Sequence, residues 1–157
     1  MLQERGAGVS SWKLTQIGLV VRDMQRAVER FAQLGIGPFE PKVLPPGTRV
    51  SINGEPSLAE ITVQGTMVGN VEVELCQPVS GDSPHKDYLE RKGEGVQHVL
   101  FTVDNLDAEI SRLTGLGCRV LLEARFGEEE GAGRLAYVDL DASGLIVELL
   151  ELPTKGT

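Results

Sequence analysis

Residues 95–103 have the sequence GVQHVLFTV, a mostly apolar stretch with a single histidine, His98, near its middle. In an extended strand His98 shares one face with Val96, Leu100 and Thr102, and Gln97 shares the other with Val99, Phe101 and Val103. A histidine between apolar neighbours has to satisfy both ring nitrogens with hydrogen bonds or a metal ion. This stretch alone leaves two interpretations open, a hydrogen-bonded core histidine and a metal ligand.

The pattern to which this stretch belongs occurs twice in the chain. A strand, a capped helix and three strand-like segments make up a first module at about residues 13–77 and a second module at residues 96–151, with a connector at 78–95. A βαβββ module cannot close a core alone, so two copies are expected to pack as a pseudo-symmetric pair. The sequence therefore predicts an α+β fold of two tandem βαβββ modules in one domain that covers residues 1–157.

Local signals predict where some of these elements begin and end. The helices of the two modules are expected to begin after the cap residues Asp23 and either Asn105 or Asp104, and a short helix in the connector after Ser83. The first extended segment after the helix of module one is expected around residues 41–52, and a later turn at GTMVGN, residues 65–70.

Two pairs of polar residues occupy equivalent positions in the modules. Gln16 and His98 lie on the first strands, 82 positions apart, and Glu74 and Glu148 lie in the Val-Glu-Leu triplets of the last strands, 74 positions apart. The strongly apolar positions of the first strands are on the other face, suited to packing under a helix. We therefore expect all four side chains on the concave face of the sheet, around a common centre.

One imidazole, two carboxylates and one amide oxygen suit a divalent metal ion such as Zn²⁺, Co²⁺, Ni²⁺ or Mn²⁺. Glu148 is the sharper of the two acids because its same-face neighbours, Ile146 and Leu150, are apolar. An ionised carboxylate in such a strip needs a cation or strong hydrogen bonds. The alternative is a buried hydrogen-bond network between the modules, without a metal.

The composition is globular, with 41% hydrophobic and 24% charged residues, and the net charge of −8 disfavours a nucleic-acid or anionic-membrane partner. No run reaches the roughly 18 apolar residues of a membrane helix. The polar N-terminal arm, residues 1–11, has no apolar leader, so a cytoplasmic protein is expected. Cys76 and Cys118 are expected as buried thiols outside any disulfide framework. His85, in the connector, is expected to be exposed and without a chemical role.

Three segments of the chain resemble the vicinal oxygen chelate superfamily of glyoxalases and bleomycin-resistance proteins, and within it most closely the methylmalonyl-CoA epimerase family. They are QIGLVVRDMQRAVERFAQLGIGPF at 16–39, VEVELCQPVSGDSPHKDYLERKGEGVQHVLFTVDNLDAEISRL at 71–113, and AYVDLDASGLIVELLE at 136–151. The connector with DSP, YLERKGEG and the following histidine is typical of the epimerase-like branch. The resemblance implies an open, cup-shaped, eight-stranded mixed sheet around a metal site.

Carried over by this resemblance, the metal ligands fall on Gln16, Glu74, His98 and Glu148. The epimerase pattern has histidine at the position of Gln16 and glutamine at that of Glu74, and the set found here is instead similar to the ligands of eukaryotic glyoxalase I. The departures look like an exchange of ligands. The resemblance also places a catalytic carboxylate on a middle strand of the first module, where Glu60 in SLAEITVQG is the candidate.

The function implied is a metal-dependent epimerase or isomerase that abstracts a proton next to a carbonyl group through a metal-stabilised enediolate. The substrate would be an acyl-CoA thioester such as methylmalonyl-CoA, with Glu60 and Glu148 on opposite faces of it. Members of the superfamily are often dimers, so a homodimer is a further expectation.

Two other functions stay open. The ligand set also suits a lactoylglutathione lyase of the glyoxalase I type, and the scaffold also occurs in non-catalytic ligand-binding or resistance proteins. An extradiol-type iron dioxygenase fits poorly because it needs two histidines and a carboxylate, and His85 is expected to be exposed in the connector.

Overall fold

The computed structural model describes residues 11–141 and 144–154, so nearly all of the expected N-terminal arm lies outside the described residues. Ten strands and three helices form within these residues. In chain order they are β1 (Lys13–Val20), α1 (Met24–Gln33), β2 (Glu40–Pro41), β3 (Thr48–Ile52), β4 (Glu55–Pro56), β5 (Glu60–Val68), β6 (Val71–Ser80), α2 (Pro84–Lys92), β7 (Gly95–Thr102), α3 (Leu106–Gly115), β8 (Arg119–Phe126), β9 (Arg134–Asp139) and β10 (Ile146–Glu151).

The two modules meet at their first strands. β1 and β7 pair antiparallel in one continuous sheet, and each module's last strand lies parallel beside its first, β6 beside β1 and β10 beside β7. The order across the sheet is β2-β5-β6-β1-β7-β10-β9-β8-β3-β4. The mixed sheet and the three helices confirm the predicted α+β class.

The sheet has ten strands in the described residues, where the resemblance implied eight. The segment around residues 41–52, expected as one strand, is divided: β2 pairs with β5 at one edge, and β3 pairs with β8 of the second module. β3 also forms a hairpin with β4, whose turn residues Asn53 and Gly54 both have positive φ, as a type I′ turn requires. β2 and β4 are only two residues long, which accounts for the two additional strands.

The connection between β2 and β3 shows that the sheet is curled. These strands lie eight positions apart in the sheet order, which corresponds to ~38 Å in a flat sheet with ~4.8 Å between strands. Residues 42–47 alone join them, and this length of chain spans at most ~25 Å. The sheet therefore bends into a half-barrel with a concave inner face.

Helices α1 and α3 cover the outer face of their modules. Asp23 and Asn105 cap them, as predicted, by accepting hydrogen bonds from backbone N–H groups in the first turn. Leu75 belongs to the core cluster under α1, and Leu149 to the one under α3. Because side chains alternate along a strand, packing these leucines under the helices turns the preceding residues, Glu74 and Glu148, to the concave face.

The connector forms the predicted helix. Ser83 caps α2 by accepting a hydrogen bond from the backbone N–H of Lys86, and Gly93 follows its last residue with a φ of 81°. Cys76 is buried, Cys118 is partly buried, and both thiols are free. Among residues 11–141 and 144–154, no helix is long and apolar enough to cross a membrane.

Candidate metal centre

The four residues selected from the repeat converge on the concave face of the sheet. Gln16, Glu74, His98 and Glu148 come from four adjacent strands, β1, β6, β7 and β10, and all four are buried. Nε2 of His98 lies 3.1 Å from Oε1 of Gln16, 3.2 Å from Oε2 of Glu148 and 3.6 Å from Oε1 of Glu74. The structure thus brings together the whole predicted donor set.

A β-bulge in β7 places a second polar side chain beside His98. Gly18 pairs with His98 and Leu19 with Val96, so Gln97 is an extra residue in the ladder. Gln97 is fully buried, and its Oε1 lies 2.8 Å from Nδ1 of His98. The strict alternation that put Gln97 on the opposite face was therefore wrong. By accepting a hydrogen bond from Nδ1, Gln97 fixes the ring so that Nε2 points to the centre.

Gly18 provides the space that the His98 ring occupies. It is the cross-strand neighbour of His98, and a Cβ atom at this position would overlap the imidazole ring. The overlap involves the rigid ring of a fully buried residue, so it cannot be relieved by a small side-chain rotation. Position 18 therefore has to be glycine for His98 to stand where it does.

Two residues that the sequence analysis missed hold the first-module side of the centre. Nε2 of Gln16 donates hydrogen bonds to Oε1 of Glu72 at 2.6 Å and to Oε2 of Glu74 at 3.0 Å. Nζ of Lys42 donates to the same two oxygen atoms, at 2.6 and 2.7 Å. Glu72 could have been found from its spacing, because residues two apart on a strand share a face. Lys42 comes from the segment after β2, and no sequence pattern points to it.

The two carboxylates of the donor set have opposite electrostatic surroundings. Burial alone would raise the pKa of Glu74, but hydrogen bonding to His98 and the Lys42 ammonium group lower it to about 2. Burial raises the pKa of Glu148 to about 7, against the interaction with His98 and with a contribution from the negative charge of Glu74. Without a bound cation, Glu74 is therefore ionised at neutral pH, whereas Glu148 readily carries a proton.

The donor atoms of the centre also suit a divalent cation. Nε2 of His98 faces oxygen atoms of Gln16 and Glu148, and Oε2 of Glu148 is buried without a hydrogen-bond partner among the described residues. Ligand atoms that share one ion at ~2.1 Å lie ~3.0 to 3.4 Å apart, which is close to the separations found. Counting only His, Cys, Asp and Glu side chains, the part of the chain that the structure describes contains no metal-binding group of three.

His85 is buried beside this centre, and the expectation that it is exposed was wrong. It is the second residue of α2, and its Nε2 lies 3.1 Å from the hydroxyl oxygen of Tyr137. The Tyr137 ring packs against both histidine rings and is the cross-strand neighbour of Glu148. Burial lowers the pKa of His85 to about 3, so this imidazole is neutral. Its burial depends on how the first turn of α2 docks on the sheet, which no local pattern reveals.

Glu60 is exposed and lies away from the four converging residues. β5 pairs antiparallel with β6 such that Gly65 faces Glu74, whereas Glu60 faces Ser80. Ser80 lies six positions after Glu74 on β6, or ~20 Å along the strand. The structure does not bring Glu60 together with the donor set.

The fold is that of a known class of proteins. Residues 15–137 match the sequence profile of the Glyoxalase/Bleomycin resistance protein/Dioxygenase superfamily, and the chain belongs to it. This confirms the resemblance found in the sequence.

Among individual proteins, methylmalonyl-CoA epimerases are similar to this chain. The mitochondrial methylmalonyl-CoA epimerase of Bos taurus is 27% identical over 139 residues, which cover 87% of this chain and 73% of that protein. The uncharacterized protein YqjC of Bacillus subtilis is 31% identical over 94 residues, 59% of this chain and 66%, just under two thirds, of its own length. The structure of a Streptomyces coelicolor methylmalonyl-CoA epimerase variant with 2-nitronate-propionyl-CoA has a TM-score of 0.62 at 21% identity and covers 90% of this chain and 98% of that one. At that identity the structural likeness shows the fold.

Proposed function

We propose that the protein is a metal-dependent epimerase or isomerase that moves a proton next to the carbonyl group of an acyl-CoA thioester such as methylmalonyl-CoA. The observation that supports this most is Oε2 of Glu148, which is buried, lacks a hydrogen-bond partner among the described residues and lies 3.2 Å from Nε2 of His98. A carboxylate in that environment is suited to binding a cation and to exchanging a proton. The epimerases among the relatives support the substrate class.

Gln16, Glu74, His98 and Glu148 would hold the metal ion, which when bound would act as a Lewis acid on the carbonyl oxygen of the substrate. Three of these donors are held by polar neighbours. His98 is hydrogen-bonded to Gln97, Gln16 donates a hydrogen bond to Glu72, and Glu74 accepts one from Lys42. Oε2 of Glu148 has no hydrogen-bond partner among the described residues, so Glu148 would be the donor that loosens and takes a proton.

The surroundings of Glu148 suit proton transfer. A general base works best when its pKa lies near the operating pH, and burial raises the pKa of Glu148 to about 7. Ile146 and Tyr137 belong to an apolar cluster on this side of the sheet, which limits the access of water. Glu148 would take the proton from one face of the α-carbon and return it to the same face.

Inversion at the α-carbon requires a second proton carrier on the opposite face. Glu60 remains the proposal that the sequence makes for this role. Its register position opposite Ser80 requires that bound substrate or a movement of the β5–β6 hairpin bring it to the reacting carbon. The variant Glu60→Gln tests this part of the proposal separately.

The direct experiment is to mix the metal-loaded protein with (2R)- or (2S)-methylmalonyl-CoA in D₂O. We expect epimerisation together with incorporation of deuterium at the α-carbon, and loss of both in Glu148→Gln. If the metal-loaded protein produces neither reaction, this substrate is wrong.

A second candidate is a lyase of the glyoxalase I type, which the combination of Gln16, Glu74, His98 and Glu148 favours because it is similar to that enzyme's ligand set. Isomerisation of the hemithioacetal of methylglyoxal and glutathione would support this function, and its absence alongside active α-proton exchange would remove it.

A non-catalytic ligand-binding or resistance protein is a third possibility on the same scaffold. Elemental analysis after gentle purification separates it from the two enzymes, because such proteins typically lack the metal ligands. A cytoplasmic location and a homodimer remain predictions of the sequence.

A further inference from the structure

The hydrogen bonds around Gln16 form a closed set of two donors and two acceptors. Nε2 of Gln16 and Nζ of Lys42 each donate to Oε1 of Glu72 and to Oε2 of Glu74, over distances of 2.6 to 3.0 Å. The donor end of the Gln16 amide is therefore turned to the two carboxylates. Its acceptor end, Oε1, faces Nε2 of His98 at 3.1 Å.

The orientation of this amide decides whether Gln16 can bind a cation. The oxygen and nitrogen ends of a carboxamide are nearly equal in size, so hydrogen bonds and not packing select between them. Rotation by 180° would point N–H donors at the centre and place Oε1 against the carboxylates of Glu72 and Glu74. The amide oxygen would then face two carboxylates with no hydrogen atom between them, which is unfavourable in a buried site.

The second module lacks this arrangement at the equivalent position. The register that pairs Gln16 with Glu72 pairs His98 with Ile146, an apolar residue. An imidazole ligand has no amide to orient, and its ring is held by Gln97 from the same strand. In the first module an acid, Glu72, thus lies beside the amide of Gln16. In the second module the equivalent neighbour of His98 is apolar.

Gly65 provides the space for the Glu72 carboxylate. β5 places Gly65 opposite Glu74, where β9 places Tyr137 opposite Glu148. A Cβ atom at Gly65 would lie 2.9 Å from Oε2 of Glu72 and 3.3 Å from Cδ of Lys42. The strand position beside the ion pair of Lys42 and Glu72 is therefore a glycine in the first module, whereas the equivalent position of the second module is the aromatic Tyr137.

We propose that Glu72 is a positioning residue which, with Lys42, holds the Gln16 amide with its oxygen toward the centre and so enables Gln16 to bind a divalent cation. This inference rests on the proposed function, because it assigns a cation to the four donors. Lys42 supplies the positive charge that allows the two carboxylates to lie side by side. The backbone N–H of Lys42 donates to the carbonyl oxygen of Val63 at 2.9 Å, which ties the residue to β5.

Two substitutions of Glu72 separate orientation from charge. Glu72→Gln removes the charge but keeps an acceptor oxygen for Gln16 and Lys42, whereas Glu72→Ile removes both and copies the residue of the second module. We expect Glu72→Ile to raise the Kd for Co²⁺ by ~10- to 100-fold and to change the visible absorption spectrum of the bound ion. We expect Glu72→Gln to raise it only about twofold to fivefold, the size of a weak electrostatic effect. Equal losses in both variants would show that charge alone acts and would overturn the proposal.

The same substitution in a Gln16→His background is the matched control. A histidine at position 16 has no amide to orient, so Glu72→Ile should then raise the Kd for Co²⁺ by less than about fivefold. A loss as large as that with Gln16 present would contradict the proposed role.

A measurement without metal tests the orientation itself. The side-chain amide signals of Gln16 in the ¹⁵N–¹H spectrum of the metal-free protein should shift in Glu72→Ile and stay close to their original positions in Glu72→Gln. Unchanged signals in Glu72→Ile, in a variant whose circular dichroism shows that it is folded, would overturn the proposal.

The outcome for Glu72 is distinguishable from that of the proposed function. If the Co²⁺ pattern appears but methylmalonyl-CoA exchanges no α-proton, the substrate is wrong and the role of Glu72 stands. If the unsubstituted protein binds no Co²⁺, both the metal-dependent function and the role of Glu72 are overturned.

Discussion

Gly18 and His98 face each other on the antiparallel strands β1 and β7, and the imidazole ring of His98 fills the space in which a side chain at position 18 would stand. A single hydrogen atom in place of a Cβ therefore determines where the histidine of the centre lies. Gln97, the bulged residue that precedes His98 on β7, accepts a hydrogen bond from Nδ1 of the same ring.

We expect Gly18→Ala to displace the His98 ring and to weaken the binding of Co²⁺ by ~10-fold or more. Overpacking of this kind also costs about 1–3 kcal/mol of folding free energy. Titration with Co²⁺ and urea unfolding measure the two effects. Gly115→Ala, in α3, is the control, because a Cβ at Gly115 meets no atom within 4 Å. Unchanged Co²⁺ affinity in Gly18→Ala would show that His98 does not bind the ion.

His85 makes the stability of the protein depend on pH in a predictable direction. The unfolded chain binds a proton at this residue below pH ~6.5, whereas burial holds the folded pKa at about 3. The stabilising contribution is therefore complete above pH ~6.5 and is lost as the pH falls toward 3, by about 2 kcal/mol between pH 7 and pH 5.

The comparison that checks this is urea unfolding of the unsubstituted protein and of His85→Leu at both pH values. We expect the free energy of unfolding of the unsubstituted protein to fall more steeply. Parallel decreases in the two proteins would mean that His85 titrates in the same way when folded and unfolded.

The register of β5 makes Glu60 a sharp test of how far the family resemblance extends. We expect Glu60→Gln to slow epimerisation by ~10-fold or more and to change the rate of α-proton exchange by less than about twofold, because Glu148 alone can take the proton and return it to the same face. Glu148→Gln should lower the same rate by ~10²-fold or more, as expected for loss of a general base. Unchanged epimerisation in Glu60→Gln would show that Glu60 is not the second proton carrier.

Metal binding should weaken as the solution becomes more acidic than pH 7. Burial raises the pKa of Glu148 to about 7 in the metal-free protein, and a carboxyl group has to lose its proton to bind an ion. The apparent affinity for Co²⁺ should therefore fall by up to ~10-fold per pH unit below 7 for this one proton. Glu148→Gln should show a shallower dependence, and an equally steep one would exclude Glu148 as its source.

The repeat in the sequence was sufficient to predict that four polar side chains converge, because this convergence depends on alternation along strands. Gln16 and His98 occupy equivalent positions on the first strands, and Glu74 and Glu148 precede leucines that pack under the helices. The cap residues of α1 and α3 are also local features, and the structure has them where the sequence predicts.

The positions of other residues depend on long-range strand register and on how the helices dock on the sheet, which local patterns do not reveal. Glu60 was assigned its role through the family resemblance alone; in the structure β5 continues to Val68 and turns at Gly69, which sets Gly65, and not Glu60, opposite Glu74. Gln97 was placed on the wrong face because one extra residue in β7 interrupts the alternation. His85 is buried through contact between α2 and the sheet, and Lys42 reaches Glu72 from a segment between edge strands. Pairing partners of this kind are not encoded in any single window of sequence.

The two copies of the module secure their ligands by different physical means. The His98 ring is held by shape, because it fills the space that a side chain at position 18 would occupy and packs beside the amide of Gln97. Gln16 is instead held by charge, through Glu72 and Lys42. Added salt weakens charge pairs that solvent can reach and leaves steric confinement unaffected. Ionic strength should therefore loosen one half of the centre before the other. The two copies of the module therefore respond to different disturbances. A mutation can change the position of one ligand while the equivalent ligand of the other module stays in place.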